Sequence, residues 1–181
     1  NSSFQRQGGF FSAMFRKMFG GENFFLGKYE HPDGGKLTFA PSIPGHVEHR
    51  QLTNNSLNIM AGGFLACTPG VNIKAKFGGL KALFSGEGAF LLEASGSGDL
   101  FFNSFGGIVE KEINGEFIVD TGHVVAFDPS LDYKITGMGS FKSTMLSGEG
   151  MVMRFSGNGK LYLQTRNVSS IASWLTPRLL G

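Results

Sequence analysis

Three carboxylates stand out because each follows a glycine in a similar local context. Glu22 closes Phe15-Arg-Lys-Met-Phe-Gly-Gly-Glu22, Glu87 lies in Gly79-Leu-Lys-Ala-Leu-Phe-Ser-Gly-Glu-Gly88, and Glu149 lies in Gly139-Ser-Phe-Lys-Ser-Thr-Met-Leu-Ser-Gly-Glu-Gly150. Brought together near a pseudo-threefold axis, three such carboxylates would make a cation site. Left apart, each can accept hydrogen bonds from turn N–H groups and hold its own turn shut. The structural reading is preferred, so Glu22, Glu87 and Glu149 are read as turn carboxylates, with Glu87 and Glu149 in equivalent turns.

Other residues with chemistry are read the same way. His46, Glu48 and His49 in Pro44-Gly-His-Val-Glu-His-Arg50 suggest a metal pair. Two intervening residues do not suit ligation from one helix face, and on a strand the two rings point to opposite faces. The corresponding stretch from Gly106 to Ile113 has no histidine, His123 stands where Gly63 stands in the other copy, and His31 is in a polar loop. Ser85-Gly-Glu-Gly88 and Ser147-Gly-Glu-Gly150 are not phosphate loops, since no Lys-Ser/Thr follows. No serine occupies a Gly-x-Ser-x-Gly elbow before a helix. Cys67, the single cysteine, sits in Phe64-Leu-Ala-Cys67 and reads as a small buried hydrophobe. We therefore expect no catalytic, metal or cofactor-binding residues.

The elements that must position these residues recur along the chain. The Gly-Glu pairs stand at 21/22, 86/87 and 148/149. A second block, Gly62-Gly-Phe-Leu-Ala-Cys-Thr-Pro-Gly-Val-Asn-Ile-Lys74, matches Gly122-His-Val-Val-Ala-Phe-Asp-Pro-Ser-Leu-Asp-Tyr-Lys134 at an offset of 60. Ser-Gly-x-Gly recurs at 95–98 and 156–159. Two recurrences in the same order point to a single domain over 1–181: a partial first unit at about 1–54, a second at 55–113, and a third with a C-terminal helix at 114–181. In the first unit the proline block would begin at about −5 to −3, ahead of Asn1, which leads us to expect a missing N-terminal portion.

The local grammar is β. Met151, Met153 and Phe155 alternate with Val152 and Arg154, and Leu161 and Leu163 alternate with Tyr162 and Gln164. The intervening Gly157-Asn158-Gly159 reads as a hairpin turn, as does Asn114-Gly115, and Pro69 and Pro129 fall in turns. The expected fold is all-β, with repeated antiparallel units in a pseudo-threefold, double-stranded β-helix or barrel-like arrangement. Phe10, Phe11, Met14, Phe15, Met18 and Phe19 share one helical face, which predicts a short amphipathic helix; its alternative to a structural role is an interfacial membrane helix. A short C-terminal helix over 170–177, with Ser169 or Ser170 as N-cap, is expected to dock through Ile171, Trp174 and Leu175.

Composition agrees. The chain has 181 residues, 28 glycines, 19 phenylalanines and a formal net charge of +2, and glycine is about twice as frequent as usual. Lys and Arg are scattered from Arg6 to Arg178, so a nucleic-acid footprint is not indicated. No apolar run approaches the ~20 residues of a membrane span, and Asn1 to Gln7 lacks the apolar core of a signal peptide, which points to the cytoplasm.

The runs Gly79–Gly88, Asp120-Thr-Gly-His-Val-Val-Ala-Phe127, Tyr162-Leu-Gln-Thr-Arg166 and Ala172-Ser-Trp-Leu175 resemble the altered-inheritance-of-mitochondria family over essentially the whole chain. The resemblance implies a β-fold like that of the tryptophan RNA-binding attenuation protein, with no catalytic residues to carry over. That protein's tryptophan and RNA sites have no matching motif here. The functional expectation is a non-enzymatic scaffold or interaction protein that self-associates as a homo-oligomer. The alternative is an RNA- or small-ligand-binding module, and a third reading is a cupin-like metal-dependent enzyme.

Overall fold

The computed structural model describes residues 11–19, 22–30, 32–77, 90–137 and 151–179. Contacts divide the chain into two compact units, Asn1–Phe39 and Ala40–Gly181. The first contains one antiparallel hairpin of strands β1 (Phe11–Phe19) and β2 (Glu22–Glu30), paired without a break from Phe11↔Glu30 to Phe19↔Glu22. The amphipathic helix expected here is therefore a strand. Its apolar residues recur at helical spacing, but phenylalanine favours strands and cross-strand pairing satisfies the backbone along the whole segment.

The second unit is a mostly antiparallel sheet and one helix, as an all-β chain with a C-terminal helix should be. Its strands are β3 (Val47–Met60), β4 (Phe64–Cys67), β5 (Val71–Phe77), β6 (Phe90–Asn103), β7 (Ile108–Asp120), β8 (Val124–Phe127), β9 (Leu131–Gly137) and β10 (Met151–Gln164). Helix α1 spans Val168–Leu179. The sheet order is β4-β6-β3-β8-β10-β7, with β5 added to β6 and β9 to β10. Two sets of strands thus show the same plan. In each, a long last strand pairs along one edge with the long first strand, and along the other with a four-residue strand and then a seven-residue strand. Among the described residues the path ends at β4 and β7, so the sheet does not close into the expected barrel.

The glycine-rich segments read as hairpin turns lie inside strands. Asn114-Gly115 sits in mid-β7 and Gly157-Asn158-Gly159 in mid-β10, with Gly157 directly opposite Gly115. Ser95–Gly98 sits in mid-β6. Gly115 has open space around it and a φ of 105°, but the other glycines are needed for close approach. A Cβ on Gly96 would lie 2.4 Å from the Gly70 carbonyl oxygen, and one on Gly98 would lie 2.4 Å from Thr68 Oγ1. In the other set, a Cβ on Gly159 would meet Ser130 Oγ at 2.7 Å. Each proline turn therefore packs onto the middle of a long strand, where β6 changes partner from β5 to β4 and β10 from β9 to β8. The sequence recognised glycine's permissiveness but assigned it to chain reversal, because local patterning cannot distinguish a bend from a crossing backbone.

The matching block at offset 60 forms matching turns. Thr68 N–H donates to the Asp99 carbonyl at 2.9 Å and Asp128 N–H to the Lys160 carbonyl at 2.9 Å. In return, Asp99 N–H donates to Thr68 Oγ1 at 2.8 Å and Lys160 N–H to Asp128 Oδ2 at 2.9 Å. Strand β3 is one residue longer than β7 because Asn54, at φ 56°, makes a bulge. Between β3 and β7, and between β4 and β8, corresponding residues are thus 60 apart beyond Asn54 and 61 apart before it, while between β6 and β10 they are 61 apart throughout.

The core follows the alternation read from β10. Met153, Phe155 and Leu161 are buried with Phe127, Leu131, Val124, Ile113 and Leu91. Phe127 meets Phe155 and Tyr133 edge-on, with ring centroids at 5.0 and 5.2 Å. Helix α1 is capped by Asn167, not Ser169 or Ser170: its Oδ1 accepts from Ser169 N–H at 2.9 Å and Ser170 N–H at 3.4 Å. The expected docking does not occur among the described residues, for Ile171, Trp174 and Leu175 are 38, 58 and 40% exposed. Helical spacing makes an apolar stripe but does not specify what covers it.

Removing the ring at the centre of this core should be costly. Phe127→Ala is expected to lose about 3–5 kcal/mol of stability, read as a lower midpoint in urea unfolding.

Candidate functional site

Strand β3 meets β8 over only two residue pairs, Asn58↔Phe127 and Ile59↔Ala126. A polar cluster extends this seam. Arg50 on β3 donates from Nη1 to the Tyr162 hydroxyl on β10 at 2.9 Å and pairs with Asp128 Oδ1, just beyond β8, at 3.1 Å. The guanidinium also lies over the Tyr162 ring, 5.8 Å from its centroid, and that ring meets Phe102 edge-on at 5.3 Å. Asp128 is oriented by its second oxygen, which accepts from Lys160 N–H. Lys160 Nζ reaches Glu110 Oε1 at 2.6 Å and, more loosely, Glu112 Oε1 at 3.7 Å.

The electrostatics favour a clamp over a reactive centre. Burial holds the Tyr162 hydroxyl above the usual phenol range, so at neutral pH it is a protonated hydrogen-bond partner. The hydrogen bond from Lys160 pulls the Glu110 carboxyl below the usual range, and the same bond raises Lys160. Both shifts reinforce charges already present at neutral pH.

The sequence-predicted residues lie elsewhere. Glu22 opens β2, where its backbone pairs with Phe19, in the first compact unit. Glu87 and Glu149 lie outside the described residues, as does His31. His46 and His49 find separate acidic partners: His46 Nε2 lies 3.2 Å from Glu48 Oε2, and His49 Nε2 lies 2.8 Å from Asp99 Oδ1. His49 also stacks on Phe101 at 4.9 Å. His123 Nδ1 donates to the Gln164 carbonyl at 2.8 Å. Gln164 ties that region together: its side-chain amide donates to the Gly122 carbonyl at 2.7 Å and its Oε1 accepts from Phe105 N–H at 2.8 Å. Cys67 is half-buried, not fully buried as expected, and burial raises its thiol pKa. Among the described residues no three His, Cys, Asp or Glu side chains come together to hold a metal.

Sequence reasoning missed Arg50, Asp128 and Tyr162. Arg50 and Tyr162 are 112 residues apart, and neither carries a local motif. A clue was available in Asp128, a charged residue that stands where the matching block has Thr68, although Asp132 in place of Asn72 is a second such replacement.

A model of the family described as "Mitochondrial biogenesis AIM24" matches residues 1–166. The chain belongs to this family. An uncharacterized protein of Streptococcus pyogenes serotype M6 is 34% identical over 166 residues, spanning 90% of this chain and 67% of that protein. A crystal structure of a Streptococcus pyogenes protein superposes with a TM-score of 0.68 at 31% identity, covering 77% of this chain and 62% of that one. This AIM24 family chain therefore spans about three-fifths of the solved relative's length.

The seam makes a pH prediction. Folding holds the Tyr162 proton more tightly than the unfolded chain does, so its contribution is complete below the ordinary phenol pKa of about 10 and is lost as pH rises through the folded value. Cys67 acts in the same direction from about 8.5 upward. In a Cys67→Ser background the melting temperature should fall above about pH 10, and Tyr162→Phe should flatten that fall while costing about 0.5–1.5 kcal/mol at neutral pH.

Proposed function

We propose that this AIM24 family chain is a non-enzymatic scaffold or interaction protein that works through self-association, in the cytoplasm, with its two strand sets as copies of one repeated unit. The observation that carries the reading is the apolar surface left uncovered in the described part of the fold. Ile118 and Val109 on β7 and Ile171, Trp174 and Leu175 on α1 are all exposed. Scattered apolar residues are ordinary, but a helix face and a strand edge with nothing packed on them are surfaces a partner can use. The residues that sequence reading singled out for chemistry also support it: His46, His49 and His123 are each engaged with neighbouring groups. No described helix is long and apolar enough to cross a membrane.

Light scattering across a concentration series tests the reading. The apparent mass should rise with concentration in the micromolar range. A mass fixed at one chain throughout would remove self-association and leave an RNA- or ligand-binding module as the better account.

A further inference from the structure

The two strand sets are joined in the sheet by one strand pairing, β3 against β8, and the correspondence between the sets shows that each carries the half of that pairing the other uses. Residues 60 apart are equivalent here. Asn58 and Ile59 on β3 therefore correspond to Ile118 and Val119 on β7, while Ala126 and Phe127 on β8 correspond to Ala66 and Cys67 on β4.

Burial follows the contact. Asn58 is 4% exposed beneath β8, whereas its equivalent Ile118 is 50% exposed. All four residues of β8 are buried, with Ala126 and Phe127 at 0%, whereas all four residues of β4 are only half-buried. Strands β4 and β7 are also the two ends of the sheet path among the described residues. One end resembles the donor side of the existing seam and the other resembles its acceptor side.

We infer that a second copy of this chain occupies these edges, with β7 of one copy pairing antiparallel with β4 of the next in the register seen between β3 and β8. This places Ile118 opposite Cys67 of the second copy, and Val119 opposite its Ala66. The inference rests on the self-association proposed above and names the surface and register. Because the two edges differ, the contact is heterologous: each added copy leaves one edge of each kind open until a ring closes. The polar clamp does not carry over. Its equivalents would be Lys111 for Arg50, Thr68 for Asp128 and Phe101 for Tyr162, so the contact lacks the ion pair and is weaker than the seam inside the chain. Assembly is accordingly concentration-dependent.

The lone cysteine supplies the test. Directly paired strand residues come within the Cα separation that a disulfide needs, about 4.4–6.8 Å, so Ile118→Cys should cross-link to Cys67 of another copy under mild oxidation. Non-reducing gels and intact mass should show dimers and longer ladders, which Cys67→Ser should abolish and Val109→Cys on the same strand should not reproduce. Ile118→Lys, at an exposed position, should leave the melting temperature nearly unchanged and return the scattering mass to one chain. If the protein associates but Ile118→Cys gives no interchain disulfide, the edge assignment falls while self-association stands. If the protein stays monomeric at all concentrations, both fall. A disulfide closed within one chain would show that the two edges meet each other and would also overturn the inference.

Discussion

The architecture of residues 40–181 depends on backbone crossing backbone at points where a side chain would not fit. Each proline turn presses a carbonyl or hydroxyl into the middle of a long strand. A Cβ on Gly70 would lie 1.9 Å from the Ser97 carbonyl oxygen, and on the facing strand Gly96 and Gly98 are similarly confined. Such contacts are available only to glycine. They allow one long strand to serve three partners, a long neighbour along one edge and two short ones along the other. The short strands bring the proline turn back over the long one, and the turn's backbone groups are satisfied there, by Ser97 N–H donating to the Gly70 carbonyl at 3.0 Å and by the bonds between Thr68 and Asp99.

Once this frame exists, the same positions can be filled with different chemistry. The diagonal pair His49–Asp99 on β3 and β6 has its counterpart in Glu110–Lys160 on β7 and β10, with acid and base exchanged between the strands. Thr68 and Asp128 perform the same turn-closing task, one through a hydroxyl and the other through a carboxylate. The carboxylate has a second oxygen to spare, and Arg50 uses it. A partly buried ion pair adds little when compared with apolar packing, but removing one partner strands the other. The cluster thus ties β3 to β10 and to the end of β8, where β3 and β8 share only two residue pairs.

In this AIM24 family chain the described residues include several charged pairs, such as Arg50–Asp128, Lys76–Glu93 and Lys160–Glu110, while Ile118, Trp174 and Leu175 are exposed. Helix α1 adds to this: its Ser and Thr residues share one side, its bulky residues share the other, and Arg178 folds back over the Trp174 ring at 4.1 Å.

The sequence by itself determined the β class, the two matching blocks, the places of Pro69 and Pro129 in turns, and the alternation that buries Met153, Phe155 and Leu161. These are short-range properties: period-two burial and turn chemistry are written within a few residues. Only the tertiary structure decided that Gly96, Gly98 and Gly157 meet the proline turns in mid-strand, that the N-terminal apolar run pairs as β1, and that Ile171, Trp174 and Leu175 are exposed among the described residues. It also decided which charges meet. Arg50, Asp128 and Tyr162 carry no local mark, and they come together because β3 lies against β8 and β10, a neighbour relation set by long-range pairing that no short window of the chain contains.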